Sequence, residues 1–283
     1  MAAETEKDPV TGTETTGHEW DGIKELNTPL PRWWIIIFWL TVIWSGLYYI
    51  VYPTFPGWKG IWDYTARKDV SVEMKEVQAG RAEWLNKLAA ASIEDIGKDG
   101  ELLAFAMAGG RAAFADNCAP CHGSGGAGGP GYPNLLDDDW IWGGTLENIQ
   151  TTVTHGIRWA QDDDTRMSDM PRFGVDEMLD KSQISAVADH VLSLSSGGAA
   201  EGEGAEIFAE NCAACHGESG QGNAELGAPR LSDAIWLYGG DKAAIVETIT
   251  KARRGVMPSW GGRLDEVTIK QLAVYVHSLG GGQ

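Results

Sequence analysis

Two short stretches carry the residues best suited to chemistry: Asn117-Cys118-Ala119-Pro120-Cys121-His122-Gly123 and Asn211-Cys212-Ala213-Ala214-Cys215-His216-Gly217. Each contains Cys-x-x-Cys-His, the attachment signature of a c-type haem. Two thiols one helical turn apart can each add to one haem vinyl group. The histidine after the second cysteine then lies under the iron as proximal ligand. The spacing predicts two covalently bound haem c groups. One sits on Cys118 and Cys121 with His122 on its iron, the other on Cys212 and Cys215 with His216. Four cysteines can also form disulfides or a zinc site. Zinc would need the two pairs together, and they are 94 residues apart (118 to 212), each heading its own repeat. A thioredoxin-like pair would follow a strand, and the flanks here read as helix.

The far side of each iron needs its own ligand. A thioether raises the reduction potential there, whereas a second histidine lowers it. Arg254-Gly255-Val256-Met257-Pro258 presents Met257 on a Pro-braced loop, and Met170-Pro171 is its counterpart in the first repeat. A lone methionine is more often a core filler, but the shared Met-Pro in the same inter-helix loop favours ligation. Met167 is a rival to Met170 and lacks the following proline. His155 has two alternatives, iron ligation or a surface or propionate contact, with the second favoured. His190 and His277 read as structural or solvent-facing. Arg158, Arg172, Arg253 and Arg254 are candidates to neutralise haem propionates. Asp137–Asp139 and Asp162–Asp164 read as wet faces or parts of an acidic docking rim.

The elements that must position these residues form a duplicated unit. Gly110-x-x-x-Phe114-Ala115-Asp116-Asn117-Cys118 matches Gly204-x-x-x-Phe208-Ala209-Glu210-Asn211-Cys212, a helix running into each motif. Its glycine permits close helix packing and its phenylalanine fills a core. Pro133-Asn134-Leu135 matches Pro229-Arg230-Leu231, and Trp140-Ile141-Trp142-Gly143-Gly144 matches Trp236-Leu237-Tyr238-Gly239-Gly240. Ile149 and Val153 correspond to Ile245 and Ile249 at helical spacing. Asp180 and Asp265 read as N-caps. The helices after them bury Ile184, Val187, Ala188, Val191 and Leu194, and Ile269, Leu272, Ala273, Val276 and Leu279. A Ser-, Gly- and Ala-rich stretch links the repeats.

Ahead of the repeats, Trp33–Tyr52 carries no charge over 20 residues. That is long enough to cross a hydrocarbon layer of roughly 30 Å as a helix. Trp and Tyr crowd both ends, where rings sit at the lipid boundary, and the run is too long for a cleaved signal peptide. The residues before it are polar and predict a disordered tail, with His18, Trp20 and Ile23 as an incidental cluster or a short partner contact. Lys24 and Arg32 precede the span and Lys59, Arg67 and Lys68 follow it. Long domains are translocated largely regardless of such a count, and covalent haem attachment is expected on the periplasmic face, so the tail is expected in the cytoplasm. Beyond a connector, Val77, Trp84, Leu85 and Leu88 form a helical stripe, read as a docking element or as packing on the first haem domain. The net charge of −18 argues against nucleic acid and favours a basic partner.

A polar tail reaching Leu30-Pro31-Arg32-Trp33-Trp34, one anchor and two tandem Cys-x-x-Cys-His repeats resemble the dihaem subunit of bacterial cbb3-type cytochrome c oxidases in its single-span form. The likeness covers nearly the whole chain. It implies a mainly α protein, one transmembrane helix followed by two tandem class I cytochrome c domains. The expected divisions are a 1–30 cytoplasmic disordered tail, a 31–53 anchor and a 54–100 connector with docking helix. Residues 101–196 form the first cytochrome domain, 197–204 a linker and 205–283 the second. The resemblance implies that Met170 serves the iron of His122, and Met257 that of His216. It implies electron relay from a donor c-type cytochrome, soluble or anchored, to a monohaem subunit and the haem–copper catalytic subunit. Neither catalysis nor oxygen binding is then expected in this chain. A cytochrome bc1 complex is a further implied partner, in a supercomplex. The competing readings are a free-standing anchored dihaem carrier, a dihaem peroxidase and a sensor or scaffold. Co-purification with a haem–copper core separates the first from the proposed relay, and peroxide turnover with a high-spin iron identifies the second. A scaffold would keep its function when haem is lost.

Overall fold

The computed structural model describes residues 5–198 and 201–280. These fall into two compact units, one ending at Gly80 and the other beginning at Arg81.

In the first unit, β1 (Thr15–Trp20) pairs antiparallel with β2 (Ile23–Leu26), Trp20 opposite Ile23. Asp21 and Gly22 between them both have positive φ, 50° and 81°. This is the Asp-Gly pattern of a two-residue turn whose twist matches the strands. The expectation of a disordered tail over 1–30 is therefore corrected for residues 5–30; Met1–Glu4 lie outside the described residues. Composition misled because the hairpin is held by local backbone pairing rather than by an apolar core. Thr15 is the buried residue here among those described, its hydroxyl accepting from the Glu6 N–H.

Helix α1 (Arg32–Val51) is apolar on every side and buries none of its residues within the chain, as an anchor surrounded by lipid would. After it the connector doubles back. Ile61 N–H donates to the Ile50 carbonyl at 3.1 Å and the Trp58 indole to that of Tyr49 at 3.0 Å. These bonds satisfy carbonyls that a helix end leaves open. Helix α2 (Ala66–Ala90) follows, starting somewhat earlier than its stripe suggested. Leu88 is fully buried while Val77 is exposed, so the stripe divides along its length.

The second unit holds α3 (Ile93–Ile96), α4 (Gly100–Asn117), α5 (Ala119–His122), α6 (Leu146–His155), α7 (Lys181–Ser195), α8 (Glu203–Asn211), α9 (Ala213–His216), α10 (Lys242–Lys251) and α11 (Glu266–His277). Asp180 and Asp265 cap α7 and α11, Asp180 with a full capping box to Gln183. Helix α8 begins inside the stretch expected as the 197–204 linker.

The buried side chains form two cores, and these do not follow the expected 101–196 and 205–283 division. The first gathers Leu88, Ile96, Phe114, Ile149 and Val153 with Leu272 and Val276 of α11. The second gathers Val187 and Val191 of α7 with Phe208, Ile245 and Ile249. Helix α11 packs on α4 and α6, and α7 on α8 and α10. Each repeat thus gives its terminal helix to the core of the other. A Cβ at Gly110 would collide with the Gln271 carbonyl of α11, and one at Gly204 with the Ala186 carbonyl of α7. The physical reason lies in the connections. Helices α7 and α8 are joined by a short link, and consecutive elements usually pack as neighbours. That pairing leaves α4 to take α11.

Candidate haem sites

Each Cys-x-x-Cys-His motif sits where a long helix breaks. Helix α4 ends with Cys118 N–H bonded to the Phe114 carbonyl at 2.8 Å, and His122 N–H then closes a turn on the Cys118 carbonyl at 2.9 Å. Cys212 and His216 repeat the pattern with Phe208 and Cys212, at 2.8 and 2.9 Å. Within each motif the turn stacks both cysteines along one side of a short helix and carries the histidine beside them.

The histidines are aimed by backbone carbonyls. His122 Nδ1 lies 3.0 Å from the Pro133 carbonyl and His216 Nδ1 2.9 Å from that of Pro229. A carbonyl only accepts, so Nδ1 carries the proton and Nε2 is left with its lone pair for a metal. Burial holds both imidazoles below the ordinary histidine range, favouring the neutral, ligating form. Burial pushes the Cys118 and Cys212 thiols up to about 11. Neither is the poised thiolate that redox pairs present. Among the described residues, no group of three His, Cys, Asp or Glu with metal-binding spacing includes any of the four cysteines.

Beside His216 lies an apolar cavity walled by Val187, Val191, Phe208, Ile245 and Ile249, with Cys212 and Cys215 at its edge. Met170 and Pro171 form another part of the wall. A flat apolar macrocycle fits such a space: thiols at the edge, an imidazole nitrogen free and a thioether within the same walls. Arg158, Arg253 and Arg254 also line it. Arg158 is held by the Gly255 and Ser168 carbonyls at 2.8 and 2.9 Å, and Arg254 pairs with Asp169. Arg172 instead pairs with Asp176 on the surface, away from this cavity.

Met257 lies elsewhere. Its backbone is bonded both ways to Ile157, at 2.9 and 3.0 Å, just beyond α6. Its side chain packs against the first core, together with Cys118, Ala119, Leu135 and Trp260. Met170 packs against the second core with Cys212 and Ala213. The expected pairing set Met170 with His122 and Met257 with His216; in the structure Met170 packs in the core of the Cys212 motif and Met257 in that of the Cys118 motif. The cause is the crossing of the terminal helices, since each Met-Pro loop leads into the helix that changes core.

Met167 is 67% exposed and packs in neither core. His155 Nδ1 faces Asp162 at 3.2 Å, bracing the loop between them. His190 is buried against the Phe208 ring at 5.1 Å, which makes it structural. Asp139, half-buried near Asp233 and Asp137, has its carboxyl pushed up to about 6, chiefly by burial. It is part of an inner wall as well as of a wet face. Sequence reasoning missed the carbonyls of Pro133 and Pro229 as the partners that orient the histidines. The repeated Pro-x-Leu pattern was their signal.

Three family models match the chain. One, described as the N-terminal domain of cytochrome oxidase-cbb3, FixP, covers residues 12–59. Another, described as cytochrome c, covers 107–195, and a third, cytochrome c oxidase, cbb3-type, subunit III, covers 199–276. The chain is 54% identical over 291 residues, all of both chains, to the cbb3-type cytochrome c oxidase subunit FixP of Bradyrhizobium sp. strain ORS 278. It is 51% identical over 295 residues to subunit CcoP of Azospirillum brasilense, covering 99% of this chain and 100% of that one. With subunit CcoP of Cereibacter sphaeroides it shares 51% over 276 residues, 95% of each chain.

Proposed function

The chain belongs to the cbb3-type cytochrome c oxidase subunit III family, and from that premise we propose how it serves as the dihaem electron-relay subunit of such an oxidase. It is anchored in the membrane by α1. Haem c supplies one-electron chemistry when bound; this chain holds, orients and shields it. Cys118 and Cys121 carry one haem, Cys212 and Cys215 the other. The Pro133 and Pro229 carbonyls fix Nδ1–H of His122 and His216, presenting Nε2 to the metal. Met257 is the thioether that would join His122 in holding the first haem, and Met170 the one that would join His216 in holding the second. Arg158, Arg253 and Arg254 stand where propionates of the second haem would need positive charge.

The observation that carries the exchanged pairing is the placement of Met170 in the wall of the His216 cavity. A thioether held at each haem would leave no position for peroxide or oxygen. We place the haem units in the periplasm, the N-terminus in the cytoplasm, and the donor as a basic c-type cytochrome drawn by the net charge of −18. The exposed Val70, Met74 and Val77 of α2 suit docking to a neighbouring subunit.

The test is potentiometric. Replacing a thioether by imidazole lowers a haem potential. In a variant keeping only the haem of Cys118 and Cys121, through Cys212→Ser and Cys215→Ser, Met257→His should lower the remaining potential and Met170→His should leave it in place. The reverse outcome would restore the sequential pairing. Purification from membranes should return two haems per chain together with the haem–copper core.

A further inference from the structure

The hairpin at the N-terminal side of the anchor has two unlike faces. Trp20 and Ile23 are directly opposed, which puts both side chains on one face. They are 62% and 73% exposed. His18, two residues back on the same face, lies 5.4 Å from the Trp20 ring. The other face carries the opposed pair Glu19 and Lys24. Lys24 is already engaged by Glu6 and Glu19. Residues 5–31 carry six carboxylates against two lysines, a net of −4.

A two-stranded hairpin is marginal in water unless something packs on it. This one has no core of its own, and its aromatic face stands open. We propose that the His18–Trp20–Ile23 face docks on the cytoplasm-facing loops of a multi-span subunit of the same oxidase. Two arguments choose that partner. The hairpin is tied to α1 by five residues, Asn27-Thr28-Pro29-Leu30-Pro31, two of them proline. A short, stiff tether keeps it beside whatever the anchor helix stands against. Cytoplasmic loops of membrane proteins are rich in Lys and Arg, which complements the acidic surround of the face. The bilayer is the poorer match, because the cytoplasmic leaflet is itself negative. The proposal rests on oxidase membership and on the cytoplasmic placement of the N-terminus.

The test uses the full chain in membranes with the assembled oxidase. A photo-crosslinking residue in place of Ile23 should join a multi-span oxidase subunit, identified by mass spectrometry, and Trp20→Ala should remove most of that product. Cross-linking to lipid alone, or no product, would overturn the proposal. Glu19→Lys, on the opposite face, leaves the aromatic face in place and should lower retention of the chain in salt-washed, detergent-solubilised complex severalfold. Unchanged retention would refute the charge match. Thr13→Cys should label from the cytoplasmic side while the haem–copper core still co-purifies. Labelling from the periplasmic side alone would overturn the placement, and with it this partner surface, without touching the relay function.

Discussion

The two cores have the same ingredients and different chain routes. The second is built from one continuous run, from Met170 to Ile249. The first needs two pieces far apart in sequence, Leu88 to Val153 and Met257 to Val276. Equal packing can therefore carry unequal dependence on the chain's end. Closing the first core means bringing back a segment after more than a hundred intervening residues, a loop-closure cost absent from the second.

Removing α11 is the most severe way to break that comparison. Truncation after Gly255 should abolish folding at the first core and empty its haem, while the His216 core, whose cavity wall ends at Gly255, retains its own. Haem-stained peptide mapping after proteolysis reads this directly. Loss of both haems equally would show that the cores cannot stand apart. Next come the two phenylalanines. Phe114→Ala and Phe208→Ala, at 1% and 2% exposure, should each cost about 3–5 kcal/mol. Each should loosen only the haem of its own core, as followed by denaturant unfolding with haem absorbance.

The caps give a finer test. Asp180→Ala and Asp265→Ala should each cost about 1 kcal/mol. Because α7 belongs to the second core and α11 to the first, Asp180→Ala should destabilise the haem of Cys212, and Asp265→Ala that of Cys118. Sequential domains would give the opposite pattern. The smallest effect concerns Asp139. Its carboxyl is raised from 3.8 to about 6 by burial and then by Asp233 and Asp137. The folded form thus holds the proton more tightly than the unfolded chain, so stability falls as pH rises from about 4 to about 6. Asp139→Asn should flatten that stretch of a melting-temperature profile and raise stability at neutral pH.

The anchor was legible because a 20-residue charge-free run, apolar on every side, is long enough to cross a bilayer and leaves no polar face for water. The haem motifs were legible because their chemistry is local: two thiols and an imidazole within five residues. The caps at Asp180 and Asp265 were local too. The hairpin was not read, because Thr15–Leu26 has little hydrophobic signal and depends on an Asp-Gly turn inside polar sequence.

By itself, then, the order of residues determined the two Cys-x-x-Cys-His turns, the apolar span and the helices, each of which is decided by neighbours within a few turns. Tertiary structure alone decided which terminal helix closes which core, and hence which methionine stands near which histidine. The stripes Ile184–Leu194 and Ile269–Leu279 are interchangeable as apolar faces. A choice between two equivalent partners is settled by chain connection and by close approach at Gly110 and Gly204, neither of which periodicity records.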